Sequence, residues 1–142
     1  MTAKPAGAAD PTFSINGTNA AKDATATFSK AGTYRFQVTL TDTDGMTATS
    51  SVDVVVRQQL TRLTLGPSSV DVPRWGQYQF SAVALDQFDD PLTVQPRLMW
   101  RLTGRGLLTS SGLYYAPGQR GGPYTISVNY GRLTASATVR VV

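Results

Sequence analysis

Apolar and polar side chains alternate along much of this chain. Between residues 33 and 41 every second position is apolar, which is the period-2 pattern of a half-buried β-strand. Turn residues follow at 42–45, ending in a glycine that tolerates positive φ, and a stretch rich in Thr, Ser and Val runs from 47 to 56. The pattern predicts a β-hairpin with one apolar face, formed by Tyr34, Phe36, Val38 and Leu40.

Shorter segments flank this hairpin. Asn16-Gly17 is a favoured pair for a tight hairpin turn, and residues 24–28 predict a short strand. Beyond residue 60 the same alternation recurs in short runs separated by Gly, Pro and Asp, and no segment has helical periodicity. We therefore predict an all-β chain of immunoglobulin-like antiparallel sandwich modules.

An internal repeat divides the chain into two modules. Residues 32–38 (Gly-Thr-Tyr-Arg-Phe-Gln-Val) match residues 122–128, and residues 46–55 match residues 133–142. Both modules therefore end in the same kind of hairpin. We predict a flexible tail over residues 1–10, a partial module over 11–57 and a fuller sandwich over 58–142.

These segments resemble two known families. The stretch from residue 28 to residue 56 resembles the C-terminal half of a PKD-like or cadherin-like repeat. Residues 60–142 resemble a bacterial Ig-like domain of the Big-2 type, through Leu63-Thr64-Leu65, residues 79–82, the turn at 86–88, Trp100, residues 111–113 and residues 138–141. The resemblance implies stalks and spacers of surface proteins, adhesin segments, or accessory modules beside polysaccharide-degrading enzymes, and it specifies fold better than function.

The first module departs from this resemblance. Nothing before Ala8 supplies the early strands of a full sandwich, so the 11–57 module is expected to leave a strand edge open. One interpretation, which we favour, is that the sequence starts inside a domain whose other strands lie upstream. The other is an edge-paired homodimer through residues 11–57.

Composition excludes the common catalytic centres. The 142 residues include no Cys and no His, which removes thiolate metal sites and Ser-His or Cys-His nucleophile pairs. All nine acids are Asp, and they fall mostly in predicted turns. The acidic turns at residues 42–45 and 86–90 are weak calcium candidates, better explained as solvated hairpin turns. We predict no enzyme activity, no cofactor and no metal site.

Charge and hydropathy limit the partners. The net charge of +4 comes from residues 58–142, which carry eight Arg and four Asp, whereas residues 1–57 are balanced at five and five. No basic run exceeds one residue, which disfavours nucleic acid. No apolar run approaches the roughly 20 residues that span a bilayer, so membrane insertion is not expected.

Aromatic residues in predicted loops are the best candidate for a binding site, because exposed rings stack on sugars and neighbouring charged groups bind hydroxyls. Trp100 alternates with Leu98 and Leu102 and is predicted to be a core residue instead. The candidate ligand-binding set, weighed against the simpler reading that these rings cap the sandwich ends, is Trp75, Tyr115, Tyr130, Arg74, Arg120 and Arg132.

The pattern and the resemblance together predict an extracellular, non-catalytic structural or adhesive module of a larger secreted or cell-surface bacterial protein. Its expected partners are neighbouring domains of that protein and a polysaccharide or cell-surface glycan. The alternative is a carbohydrate-binding accessory module of a secreted polysaccharide-degrading enzyme. A decoration module of a phage or filament uses the same fold and stays open as a third class.

Overall fold

Alternating side chains produce β-strands along nearly the whole chain, as the sequence predicts. The computed structural model describes residues 1–142, except for the side chain of Asn19. The described residues divide into two compact units, Met1–Gln58 and Gln59–Val142. Thirteen strands and one short 3-10 helix make up their regular secondary structure, which confirms the all-β fold class.

Unit 1 is built around one long hairpin. Strands β1 (Thr12–Phe13) and β2 (Ala26–Thr27) form a small antiparallel pair, and β3 (Gly32–Thr41) and β4 (Thr47–Val56) pair antiparallel along their full length. A 3-10 helix, Asn19–Asp23, lies between β1 and β2. The sequence analysis predicted no helix, because five residues are too few for a helical period to show.

The apolar face of the β3–β4 hairpin is covered at one end only. Tyr34 is fully buried, its ring 4.7 Å from that of Phe28, and its hydroxyl donates to the carbonyl of Lys30 at 2.8 Å. Further along the same face, Val38 and Leu40 are 52% and 68% exposed. The ring of Phe13 in β1 lies 5.8 Å from that of Phe36, near the end at which Tyr34 is buried. The prediction of a half-buried strand therefore holds for the first half of β3.

The structure adds detail to two other segments of unit 1. Residues 1–10, for which a flexible tail is predicted, include hydrogen bonds to β3: the N–H of Arg35 donates to the carbonyl of Ala3 at 2.9 Å, and the N–H of Thr2 donates to the carbonyl of Arg35 at 2.8 Å. The outer edge of β3 holds the segment by these bonds. Asn16-Gly17 does not form a two-residue hairpin turn, since β1 ends at Phe13 and β2 begins at Ala26.

Unit 2 contains nine strands among its described residues, separated by the predicted Gly, Pro and Asp turns. They are β5 (Arg62–Gly66), β6 (Ser69–Val72), β7 (Gln77–Gln79), β8 (Ser81–Leu85), β9 (Met99–Thr103), β10 (Leu107–Leu108), β11 (Leu113–Tyr115), β12 (Gly121–Tyr130) and β13 (Leu133–Val141).

These strands form two main sheets and one further pair. The larger sheet has the order β6-β13-β12-β9, the smaller has the order β10-β11-β7, and β5 pairs with β8. Every pair is antiparallel except β6 with β13, which is parallel. The antiparallel arrangement that the sequence predicts therefore holds for every strand pair of unit 2 but this one. The parallel pair arises because β6 and β13 lie far apart in sequence, so no tight turn fixes their direction.

The core of unit 2 lies between the two main sheets. Phe80 and Tyr114 pack there against Ile126 and Val139 of the larger sheet, and all four are buried. Burying one such large side chain contributes about 1.5–3 kcal/mol. Trp100 packs against this cluster and against a second one around Leu63, which confirms its predicted core position.

Candidate ligand-binding surface

Trp75 has an unusual backbone for so large a residue. It lies between β6 and β7 with φ +64°, in the left-handed region that favours glycine, and it is 83% exposed. Its N–H donates to the carbonyl of Pro117 at 3.4 Å, and the N–H of Gly76 closes a turn onto the carbonyl of Pro73 at 2.9 Å. The loop therefore holds the ring outward at a conformational cost.

The ring of Trp75 rests against a glycine. A Cβ added to Gly118 would lie 2.2 Å from the Cζ2 atom of Trp75 and 2.5 Å from Cε2, closer than any real side chain permits. Only glycine lets the six-membered ring approach the backbone this closely. The indole is thus both exposed to solvent and seated on a fixed support.

Tyr115 lies on the strand next to this loop. Strand β11 buries Tyr114 and turns Tyr115, which is 40% exposed, to the opposite face. On that outer face Tyr115 lies directly between its two cross-strand partners, Gln77 of β7 and Leu107 of β10, and Leu107 is 63% exposed. The N–H of Ala116 donates to the carbonyl of Gly76 at 2.8 Å, so the segments of Trp75 and Tyr115 run side by side.

Two exposed arginines lie close to these residues in the sequence. Arg74 precedes Trp75, Arg120 follows Gly118 by two positions, and both are exposed. The guanidinium of Arg105 donates to the Oε1 atom of Gln119 at 2.6 Å. No acidic residue occurs between 72 and 85 or after Asp90. The strands and loops that build this surface therefore carry no acidic side chain.

The structure does not bring all six predicted residues together. Trp75, Tyr115, Arg74 and Arg120 belong to one end of unit 2, near the start of β12 at Gly121. Tyr130 is the last residue of β12, and Arg132 follows in the turn to β13. A ten-residue strand is about 30 Å long at about 3.3 Å per residue, so Tyr130 and Arg132 lie at the opposite end.

One ionisable group lies beneath this surface. Tyr114 is fully buried on the inner face of β11, and its hydroxyl donates to the carbonyl of Arg105 at 2.8 Å. Burial, with a smaller contribution from Tyr124, raises the pKa of Tyr114 above its usual range. The phenol is therefore a structural donor that keeps its proton, not a base.

In both acidic turns an aspartate carboxylate accepts hydrogen bonds from the backbone of its own turn. The Oδ1 atom of Asp42 accepts the N–H groups of Asp44 and Met46 at 3.0 and 2.8 Å. The same atom of the buried Asp86 accepts those of Phe88 and Asp90 at 2.9 and 3.1 Å. In the part of the chain that the structure describes, no group of three or more acidic side chains is placed to hold a metal ion.

Comparison with known proteins identifies the fold. No family model and no curated protein matches the sequence. Among solved structures, domains 4 and 5 of the S-layer protein SbsC match at TM-score 0.53 and 20% identity, over 84% of this chain and 62% of that one. The S-layer protein rSbsC(31-844) matches at TM-score 0.49 and 16% identity, over 84% of this chain and 23% of that one.

The similarity to SbsC domains 4 and 5 shows that this chain shares their fold. The matched region, 84% of the chain, is longer than either unit alone. The chain spans less than two thirds of the length of those two domains. No helix among the described residues combines the length and the apolar character needed to cross a lipid bilayer.

Sequence reasoning missed three residues of this surface. Leu107 and Gln77 border Tyr115, and Gly118 supports Trp75. The adjacent pair Leu107-Leu108 carried a usable signal, because in a strand one of two neighbouring leucines must face outward. Nothing in the sequence around Gly118 indicates its contact with a ring 43 positions earlier.

Proposed function

We propose that this chain is a non-catalytic structural or adhesive module of a larger secreted or cell-surface bacterial protein. The observation that carries this proposal is the all-β architecture in two successive units, a fold shared with two successive domains of a surface-layer protein. Secretion or surface exposure and contact with neighbouring domains of the larger chain are parts of the same proposal.

The residue types of the chain and the partners of its carboxylates support a structural role. The sequence has no His and no Cys. Among the described residues, the carboxylates of Asp42 and Asp86 accept backbone hydrogen bonds, and that of Asp89 pairs with Arg62 at 2.8 Å. Glycoside hydrolysis needs two carboxylates facing each other across a cleft, about 5–10 Å apart. The carboxylates of Asp42, Asp86 and Asp89 are instead engaged by backbone N–H groups or by Arg62.

Assignment of residues 60–142 to the Big-2 type, and of the preceding residues to a PKD-like repeat, remains a proposal. It is supported by the core position of Trp100 and by Gly112, whose added Cβ would lie 2.5 Å from the Cη2 atom of that ring. These are two of the positions on which the sequence resemblance rests.

A second candidate function is an accessory module that holds a secreted polysaccharide-degrading enzyme on its substrate. The exposed, supported ring of Trp75 favours it, because exposed aromatic rings of this kind stack on sugar rings. The reading frame of the parent protein separates the two candidates. Further Ig-like repeats with a surface anchor support the structural module, and an adjacent glycoside hydrolase domain supports the accessory module. A cytoplasmic enzyme in the same frame would contradict both.

The uncovered face of unit 1 needs a partner. Val38, Leu40 and Val52 are all more than half exposed there, and within the described structure no strand pairs with the outer edge of β4. We propose that a neighbouring part of the larger chain covers this face and edge. The competing arrangement is a homodimer in which the β4 edges of two copies pair through residues 11–57.

A further inference from the structure

We propose that one end of unit 2 binds an acidic polysaccharide, a chain of sugar rings that carry carboxylates. The site, called the Trp75 surface below, consists of Trp75, Tyr115, Leu107 and Gln77, bordered by Arg74 and Arg120. This inference goes beyond the structural role, which does not require a ligand at this place.

The backbone of Trp75 is strained. A left-handed backbone costs a residue with a side chain about 1–2 kcal/mol relative to its usual conformations. Residues keep such strain where it serves packing or a site. The ring of Trp75 is 83% exposed, so packing of the core does not compensate the cost. Gly118 instead fixes the ring in one place against the backbone.

The shape of the surface favours sugar rings. Tyr115 and Leu107 add exposed apolar area on the outer face of β10, β11 and β7, and the N–H of Ala116, next to Tyr115, donates to the carbonyl of Gly76, next to Trp75. The amide of Gln77, on the same face, is of the kind that hydrogen-bonds hydroxyl groups. Three exposed apolar side chains are far fewer than the about 20–30 residues that each side of a standard protein interface contributes. A narrow polymer fits this area better than a folded protein.

Charge identifies the polymer as anionic. Arg74 is next to Trp75 in the sequence and Arg120 follows Gly118 by two positions, and residues 72–85 and 91–142 contain no acidic side chain. Guanidinium groups bind carboxylates through paired hydrogen bonds. A neutral glycan would leave these cations without a counterpart, whereas a uronic acid polymer offers both a ring for Trp75 and a carboxylate for Arg74 or Arg120.

Affinity electrophoresis of the full chain through gels that contain a polymer tests this proposal. Polygalacturonate and hyaluronate supply acidic sugar rings, and fully methyl-esterified polygalacturonate supplies the ring without the charge. Polyglutamate supplies charge without rings, and a single-stranded oligonucleotide supplies phosphates with bases. We expect retardation by at least one of the two acidic polysaccharides and at least about ten-fold weaker binding to the other three probes, equivalent to about 1.4 kcal/mol or more.

Variants locate the site. The Trp75→Ala variant should bind about ten-fold more weakly or worse. The same loss is expected for Gly118→Ala, which displaces the ring without removing it, and for Arg74→Gln combined with Arg120→Gln. Tyr130→Ala is the matched control: it removes a ring that is 46% exposed at the opposite end of the unit, and binding should stay within about two-fold. Emission of Trp100 and the far-UV circular dichroism of each variant verify that unit 2 is folded.

Several results would overturn the proposal. They are no retardation by either acidic polysaccharide, equal retardation by polyglutamate or the oligonucleotide, or unchanged binding by folded Trp75→Ala protein. A loss of binding in Tyr130→Ala as large as that in Trp75→Ala would contradict the placement of the site. None of these results bears on the structural role, which the parent reading frame and the location of the protein in the cell test separately.

Discussion

Replacing Gly112 by alanine probes the packing of Trp100 directly. An added Cβ would lie 2.5 and 2.7 Å from two ring atoms of Trp100 and 2.8 Å from the carbonyl oxygen of Phe80. The N–H of Phe80 donates to the carbonyl of Gly112 at 2.9 Å, so the backbone cannot move away without losing that bond. Gly112 also has φ +86°, which an alanine adopts only under strain.

The expected cost follows from these two terms. Left-handed strain costs about 1–2 kcal/mol and overpacking costs about 1–3 kcal/mol, so Gly112→Ala should lower the free energy of unfolding of unit 2 by about 2–5 kcal/mol. A unit of this length has a total stability of roughly 4–12 kcal/mol. The substitution therefore removes a large fraction of the stability, and in the lower part of that range it unfolds the unit.

Urea denaturation followed by tryptophan emission measures this cost. Both tryptophans, Trp75 and Trp100, belong to unit 2, so the signal reports that unit alone. Gly131→Ala is the control, because Gly131 has φ +58° but nothing within 4 Å of an added Cβ. It should cost only the strain, about 1–2 kcal/mol. Equal losses in the two variants would refute the packing of Trp100 on Gly112.

Three further predictions concern other parts of the molecule. Trp75→Gly should be more stable than Trp75→Ala by about 1 kcal/mol in the same urea assay, because glycine adopts the left-handed backbone without strain; equal stabilities would argue against strain at this position. The pKa of Tyr114 is raised in the folded state. Its contribution to the free energy of unfolding is therefore complete below the unfolded pKa of about 10 and is lost as the pH rises through the folded pKa. At pH 7 the Tyr114→Phe variant should be less stable than the original protein, because it lacks the hydrogen bond to Arg105. Above pH 10 its stability should decline less steeply with pH, and parallel pH profiles of the two proteins would contradict this. Sedimentation at high micromolar concentration should show a monomer, and a concentration-dependent dimer abolished by Val52→Lys would favour edge pairing through unit 1 instead.

Local patterns predicted the strands well. The alternation around Tyr34 and Phe36 located β3, and the Thr- and Val-rich stretch located β4 over the residues observed, 47–56. The position of Trp100 followed from its apolar neighbours at a spacing of two. Each of these features depends on side chains only a few positions apart, which a single sequence displays.

Features that depend on distant residues were not predictable. The exposure of Val38 and Leu40 depends on how far β1 and β2 extend over the hairpin, and the alternation contains no information about that. The parallel pairing of β6 with β13 joins segments about 70 residues apart. The separation of Trp75 from Tyr130 follows from the length and direction of β12, so the predicted aromatic set divided between two ends of the unit.

The location of the protein in the cell separates a module of the cell exterior from an intracellular protein. An antibody raised against residues 59–142 can be applied to intact cells of the organism that produces the protein, to permeabilised cells and to the culture medium. The account predicts labelling of intact cells as strong as that of permeabilised cells, or recovery of the protein from the medium. Labelling that appears only after permeabilisation, with none of the protein in the medium, would contradict a structural module of the cell exterior.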